Sequence, residues 1–230
     1  KKEKISFFPF MAAGKILSLA QQKLLSIIGR DRKLCDFFYL TGGTALAEYY
    51  LQHRLSEDLD FSAEKEFDPQ IIFVFWKKMQ KEACIKKIDF QQSFNRNLFF
   101  LRIGKDVIKT EFTFFPFPRI ESKKKIGDLA VDSLLDIAVN KLFTIYQKPR
   151  SRDFIDLFFI LKKENWTISD LIKKAKIKFD WHVDALQLGA QFLQATVVKD
   201  YPRMIKKIDH QSWQGFFAQE AEKLKSGVLR

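Results

Sequence analysis

At Pro116 and Pro118 the pattern of this chain changes. Ahead of the two prolines, short apolar runs alternate with helical stretches; beyond them strand signals vanish and helices follow one another. The expected class is therefore α+β, with a mixed-sheet domain over residues 1–118 and a helical domain over 119–230 that acts as its cap. In the first part, residues 11–30 read as a helix with Ile16, Leu17, Leu19, Leu24, Leu25, Ile27 and Ile28 on one broad face. Phe37 to Leu40 reads as a short strand ending at Thr41-Gly42-Gly43, and Thr44 as the cap of a helix running to about Arg54. Asp58 to Ser62 is strand-like, 68–84 helical and 86–91 strand-like, while 97–102 and 107–115 flank Gly104-Lys105-Asp106 as a hairpin. The second part predicts helices near 128–147, 151–163, 168–176, 180–199, 202–207 and 211–225. Lys123-Lys124-Lys125 at the junction reads as a solvated linker or as a contact for a phosphate backbone.

Composition narrows the partners. Twenty-five phenylalanines in 230 residues must be packed largely inside, because a surface bearing that many rings would aggregate. The formal charge of +12 attracts polyanions: nucleic acid, nucleotides or an anionic membrane surface. Cys35 and Cys84, with His53, His182 and His210, have neither zinc-ligand spacing nor a disulfide framework, which agrees with a reducing cytoplasm. No run approaches the ~20 apolar residues that span a bilayer. Lys1 to Gly14 mimics a signal peptide, but Pro9 interrupts it and Lys15 ends it early, so the expected location is cytoplasmic, with no membrane partner.

Five sets of residues carry chemistry. Asp58 and Asp60, two apart on a strand, project from one face, while Leu59 and Phe61 take the other. Like charges so placed repel unless a cation lies between them, and paired carboxylates suit Mg²⁺ or Mn²⁺. Gly42-Gly43-Thr44, between a strand and a helix start, permits close approach of a phosphate to the backbone, or is simply a tight turn. Glu111 shares a strand face with Lys109 and Thr113, placing it either as a third acid beside the aspartates or as a solvent-facing residue. Lys141 lies in line with Leu134, Ile137, Ala138 and Ile145, where a lysine either snorkels outward or meets an anion in a cleft. Arg152, Asp153 and Asp156 open a further amphipathic helix, where acids are favoured by the helix dipole in any case.

Taken together, FYLTGGTALAEYYLQHRLSEDLDFSA resembles the signature of the AbiEii/AbiGii family of nucleotidyltransferase toxins. The family's Gly-Gly-Thr/Ser turn and His-Arg-x-Ser-x-Asp-hydrophobic-Asp-Phe motif fall on Gly42, Gly43, Thr44, His53, Arg54, Ser56, Asp58, Asp60 and Phe61. Its Asp-x4-Lys motif matches Asp136 and Lys141, and its Arg/Lys-Asp-x-x-Asp-Leu segment matches Arg152, Asp153, Asp156 and Leu157. DYPRMIKKIDHQSWQGFF is similar to C-terminal stretches of these proteins, so the resemblance spans roughly 37–225. The family's second, lysine-containing motif has two candidates here, Lys109 and Lys141.

The resemblance implies a polymerase β-type nucleotidyltransferase domain moving NMP from an NTP to a hydroxyl, with RNA, the 3′ end of tRNA, as the expected acceptor. Asp58, Asp60 and Glu111 would hold Mg²⁺ or Mn²⁺. Gly42, Gly43, Thr44, Arg54, Lys141, Asp153 and Asp156 would line the nucleotide, with Lys141 meeting the departing pyrophosphate. An antitoxin protein is implied as partner. The rival readings are a silent RNA- or protein-binding module on the same fold, and a nuclease using the same carboxylates.

Overall fold

The computed structural model describes residues 16–122 and 124–228. The signal-like segment, and the start of the helix expected from residue 11, lie outside them. Seven strands form one mixed sheet in the order β3-β4-β5-β2-β1-β7-β6: β1 (Tyr39–Thr41), β2 (Leu59–Ala63), β3 (Ile85–Ser93), β4 (Arg96–Ile103), β5 (Asp106–Phe114), β6 (Lys124–Ile126) and β7 (Leu129–Val131). Among the described residues, helices are α1 (Leu19–Gly29), α2 (Arg32–Phe37), α3 (Gly42–Leu46), α4 (Gln70–Met79), α5 (Leu134–Gln147), α6 (Ser151–Lys163), α7 (Ile168–Phe179), α8 (Ala185–Leu193) and α9 (His210–Val228). The class is α+β, as the pattern required.

The chain groups into two compact units. One takes the described residues up to Glu48 with Ser56–Pro116 and Lys124–Val131; the other takes Tyr49–Leu55, Phe117–Lys123 and Asp132 onward. The whole sheet belongs to the first. Its β3–β4–β5 meander turns at Gly104, whose φ of +62° is the left-handed conformation a tight turn needs, as the Gly104-Lys105 signal predicts. β2 runs parallel to β5 and antiparallel to β1, which in turn pairs in parallel with β7. The phenylalanines form much of the filling: Phe61 stacks on Phe112 with centroids 4.9 Å apart, and Phe38 and Phe99 meet Phe112 edge-on.

The second unit is helical. Ile137, Leu142 and Ile145 of α5, Phe154, Leu157 and Ile160 of α6, and Leu171 and Ala175 of α7 are all buried. Phe217 packs against both Phe154 and Phe192, so that α6, α8 and α9 supply one aromatic cluster.

Four expectations are corrected. Strands do not end at Pro118: β6 and β7 make a hairpin through Gly127, and the helix expected from 128 starts at Leu134, with Ser133 accepting from the Asp136 amide. Three-residue strands are too short to show an alternation. Thr44 does not cap its helix; α3 begins at Gly42 after Thr41, then widens into a π-helical turn over Ala47–Leu51 and stops before Arg54. The stretch 202–207 is not helical but bridges back to the chain, Met204 pairing with Arg54. The helix expected over 180–199 is shorter, α8 ending at Leu193 before a single 3₁₀ turn.

Candidate active site

The first unit brings three of the expected acids onto one sheet face. Asp60 of β2 is in register with Glu111 of β5, so in this parallel pair Asp58 comes beside Lys109 two residues back. Lys109 Nζ lies 2.7 Å from Asp58 Oδ2 and 3.5 Å from the Glu111 carboxylate. Arg96 grips Glu111 with two parallel bonds, Nε to Oε1 at 2.6 Å and Nη2 to Oε2 at 2.7 Å, and the Thr113 hydroxyl donates to Oε1 at 3.1 Å. Burial would raise the Glu111 carboxyl, but Arg96 and then Lys109 outweigh it and hold it below the usual carboxylate range. Burial likewise opposes the charge of Lys109, and Asp58, Asp60 and Glu111 overcome it and raise that lysine.

The turn above the acids is shaped around them. Gly42 has φ +71°, and a methyl group there would stand 2.7 Å from Asp60 Oδ2. Only glycine allows both the backbone conformation and the carboxylate. The buried Thr44 side chain donates its hydroxyl to the Asp58 carbonyl, tying the start of α3 to the acid-bearing strand. From the other side, buried Gln21 donates to the carbonyls of Ser56 and Glu57, at 3.0 and 3.1 Å, and fixes the approach to Asp58. Among the described residues, no three Asp, Glu, His or Cys side chains stand as a ready metal cage. The donor set nonetheless fits a hard cation. Three carboxylates share one face, Asp60 and Glu111 in register, and a protein ammonium already lies against Asp58 and Glu111.

The second unit gathers the remaining candidates into a buried ion network. Asp156 Oδ1 accepts from His53 Nε2 at 2.7 Å and Arg54 Nε at 2.6 Å; Oδ2 accepts from Arg54 Nη2 and pairs with Lys141 Nζ, each at 2.7 Å. Lys141 also donates to Asp153 at 2.6 Å, and Asp153 accepts from Arg150 at 2.9 Å. Burial pushes the Asp156 carboxyl upward, but Lys141 and Arg54 hold it well below its ordinary range. Burial also lowers His53, which stays neutral and donates through Nε2. Lys141 thus neither snorkels nor stands alone; two carboxylates fix its ammonium.

Asp136 anchors α5. Its oxygens take the Ile120 and Glu121 amides, the Ser133 hydroxyl and Lys178 of α7. Arg96, Gln21 and Lys178 join these sites without any motif that singles them out. Counting back from the Gly104-Lys105 turn would have set Arg96 opposite Thr113, hence on the Glu111 face. Ser18 and Gln21 do write a local capping box, but nothing local marks the reach of Gln21 to Ser56 and Glu57 or of Lys178 to Asp136, since those partners are distant in sequence.

The model of a family described as the nucleotidyl transferase AbiEii toxin of type IV toxin–antitoxin systems matches residues 24–225. The chain belongs to this family. It is a nucleotidyltransferase of the toxin–antitoxin class. An uncharacterised protein of Aquifex aeolicus (strain VF5), aq_aa25, is 35% identical over 150 residues, covering 64% of this chain and 68% of that one. The crystal structure of JHP933 from Helicobacter pylori shares the fold at TM-score 0.59 and 21% identity, over 93% of this chain and 95% of its own. A second H. pylori crystal structure matches at TM-score 0.59 and 19% identity, over 92% and 97%. Among the described residues of this nucleotidyltransferase, no helix is long and apolar enough to cross a membrane.

Proposed function

We propose that this nucleotidyltransferase moves NMP from an NTP to an acceptor hydroxyl on RNA, the 3′ end of tRNA, with Mg²⁺ or Mn²⁺ held by Asp58, Asp60 and Glu111. The observation that carries the reading is the register of Asp60 with Glu111 beneath the Gly42 turn. Divalent ions held there would lower the cost of charge on the attacking and leaving oxygens. This chain's own residues do the rest. The backbone of Gly42 and Gly43 lies against the nucleotide phosphates, and Thr44 and Gln21 keep the acid-bearing strand in place. Lys109, on the strand that carries Glu111, takes negative charge from the triphosphate. Lys141 is the second cation assigned to the phosphates, its ammonium oriented by Asp153 and Asp156 while Arg54 secures Asp156.

RNA is favoured as acceptor by the +12 charge, which gives salt-dependent binding of a polyanion. The partner class is an antitoxin protein, and the working compartment the cytoplasm. The test incubates the protein with Mg²⁺, total tRNA and each labelled NTP in turn. Label in the RNA band, lost in Asp58→Ala with an unchanged melting curve, is the expected result. Shortened RNA would mean a nuclease, and unlabelled, intact RNA with all four NTPs would leave the silent binding module as the better reading. Lys141→Ala should raise KM for the NTP, and unchanged kinetics would remove Lys141 from the assignment.

A further inference from the structure

The carboxylate face holds its own counter-ions. Both Glu111 oxygens are engaged, by the Arg96 fork and by Thr113, and one Asp58 oxygen lies against Lys109. With Asp60 they make three carboxylates on one face, of which Asp58 and Glu111 are already held by Lys109 and Arg96. A divalent ion arriving alone must draw both cations off the carboxylates they hold. A nucleoside triphosphate changes the balance. It brings oxygens of its own for the ion, and anionic oxygens that suit the Lys109 ammonium and the Arg96 fork. Both side chains can turn: Arg96 is half exposed at the start of β4, and Lys109 is a flexible point charge on a four-carbon stem.

We infer that Lys109 and Arg96 form a cationic latch on Asp58 and Glu111, so that the metal enters together with the triphosphate and not before it. Arg96 thereby becomes a positioning residue for transfer: it turns Glu111 away from the ion until the nucleotide draws the guanidinium off. The inference rests on the metal-dependent reading above and adds an order of binding to it. The latch also keeps three acids on one face stable in the free protein, where unpaired carboxylates would repel one another.

The test follows Mn²⁺ by the paramagnetic resonance signal of the free ion, using the full chain without catalysis. Titrations are run with Mn²⁺ alone and with the α,β-methylene analogues of ATP, GTP, CTP and UTP. The wild type should bind Mn²⁺ at least about tenfold more tightly with one of the analogues than without. Arg96→Met and Lys109→Met should each tighten binding of Mn²⁺ alone by about tenfold, the order expected when one neighbouring cation is removed from a partly exposed site. Adding Glu111→Gln to Arg96→Met should cancel that gain, an effect that general loosening of the sheet would not produce. Lys109→Gln and Arg96→Gln repeat the measurement should either methionine variant melt early. Variants that bind Mn²⁺ alone no better than wild type would overturn the latch and leave the metal site standing, as would wild type that binds Mn²⁺ equally with and without nucleotide. No Mn²⁺ uptake by wild type under any condition would overturn the metal-dependent reading, and the latch with it.

Discussion

Gly42→Ala separates two costs that the structure places on one residue. At φ +71° an alanine is in the left-handed region, which costs a non-glycine residue about 1–2 kcal/mol. Its methyl would also stand 2.7 Å from Asp60 Oδ2 and 3.3 Å from Asp60 Cβ, so the carboxylate has to leave its place. Pushing a side chain some 30° off its rotamer adds about 0.5–1.5 kcal/mol. The total of about 1.5–3.5 kcal/mol corresponds, in a chain of this size, to a fall in Tm of roughly 3–14 °C. Gly104→Ala supplies the control. It sits at φ +62° with nothing within 4 Å of the added methyl, so it carries the backbone cost alone. Thermal melts should therefore show both variants destabilised, Gly42→Ala the more so. The transfer assay should divide them further: displacing a reacting group by about 1 Å costs on the order of a hundredfold in rate, and only Gly42→Ala moves Asp60. Equal melting temperatures and equal transfer rates for the two variants would refute the claim that Gly42 is glycine for the sake of Asp60.

Asp156→Ala removes the shared partner of three buried bases and should cost about 3–5 kcal/mol in urea unfolding, as uncompensated buried charge does. The same network sets an acid limb. His53 has a lowered folded value, so its contribution is full above its unfolded value of about 6.5 and is lost as pH falls through the folded value. Asp156, also depressed, contributes fully above about 3.9 and is lost at still lower pH. Tm measured against pH should begin to fall just below about 6.5, and His53→Gln should delay that onset; an unchanged onset would mean that His53 does not titrate on unfolding. Thr44→Val leaves the Asp58 carbonyl without its hydroxyl donor and should lose about 1–3 kcal/mol, read by chemical denaturation, with a drop in transfer. Cys35 is buried and its thiol is pushed up to about 11, by burial first and then by Asp128, whereas Cys84 is exposed. A thiol-specific disulfide reagent should therefore count one reactive group in the native protein and two in urea.

The local part of the site was legible because strands write their faces with a period of two. Asp58 and Asp60 against Leu59 and Phe61, and Lys109 and Glu111 against Ile108, Thr110 and Phe112, are patterns that a single segment displays. The glycine of the turn announced itself in the same way, and the Gly104-Lys105 hairpin set the register of its two flanking strands. Long amphipathic helices such as α6 and α7 were equally plain. The β6–β7 hairpin was not, because strands of three residues carry too few side chains for a period to emerge. The span 202–207 was misread because its apolar spacing mimics a helix, while its backbone amides are satisfied by the carbonyl of His53.

What this sequence determined unaided is which residues can share a face: the paired aspartates, the glycine turn, the lysine in an apolar stripe and the acids opening α6. What only the tertiary structure decided is which faces meet. It set Asp60 beside Glu111, gave Glu111 to Arg96 across a hairpin, and pulled His53, Arg54 and Lys141 onto a carboxylate about a hundred positions from the first two. Charge explains the difference. A buried ion is tolerated only where counter-charge and hydrogen bonds converge from separate elements, and periodicity within one segment carries no record of that convergence.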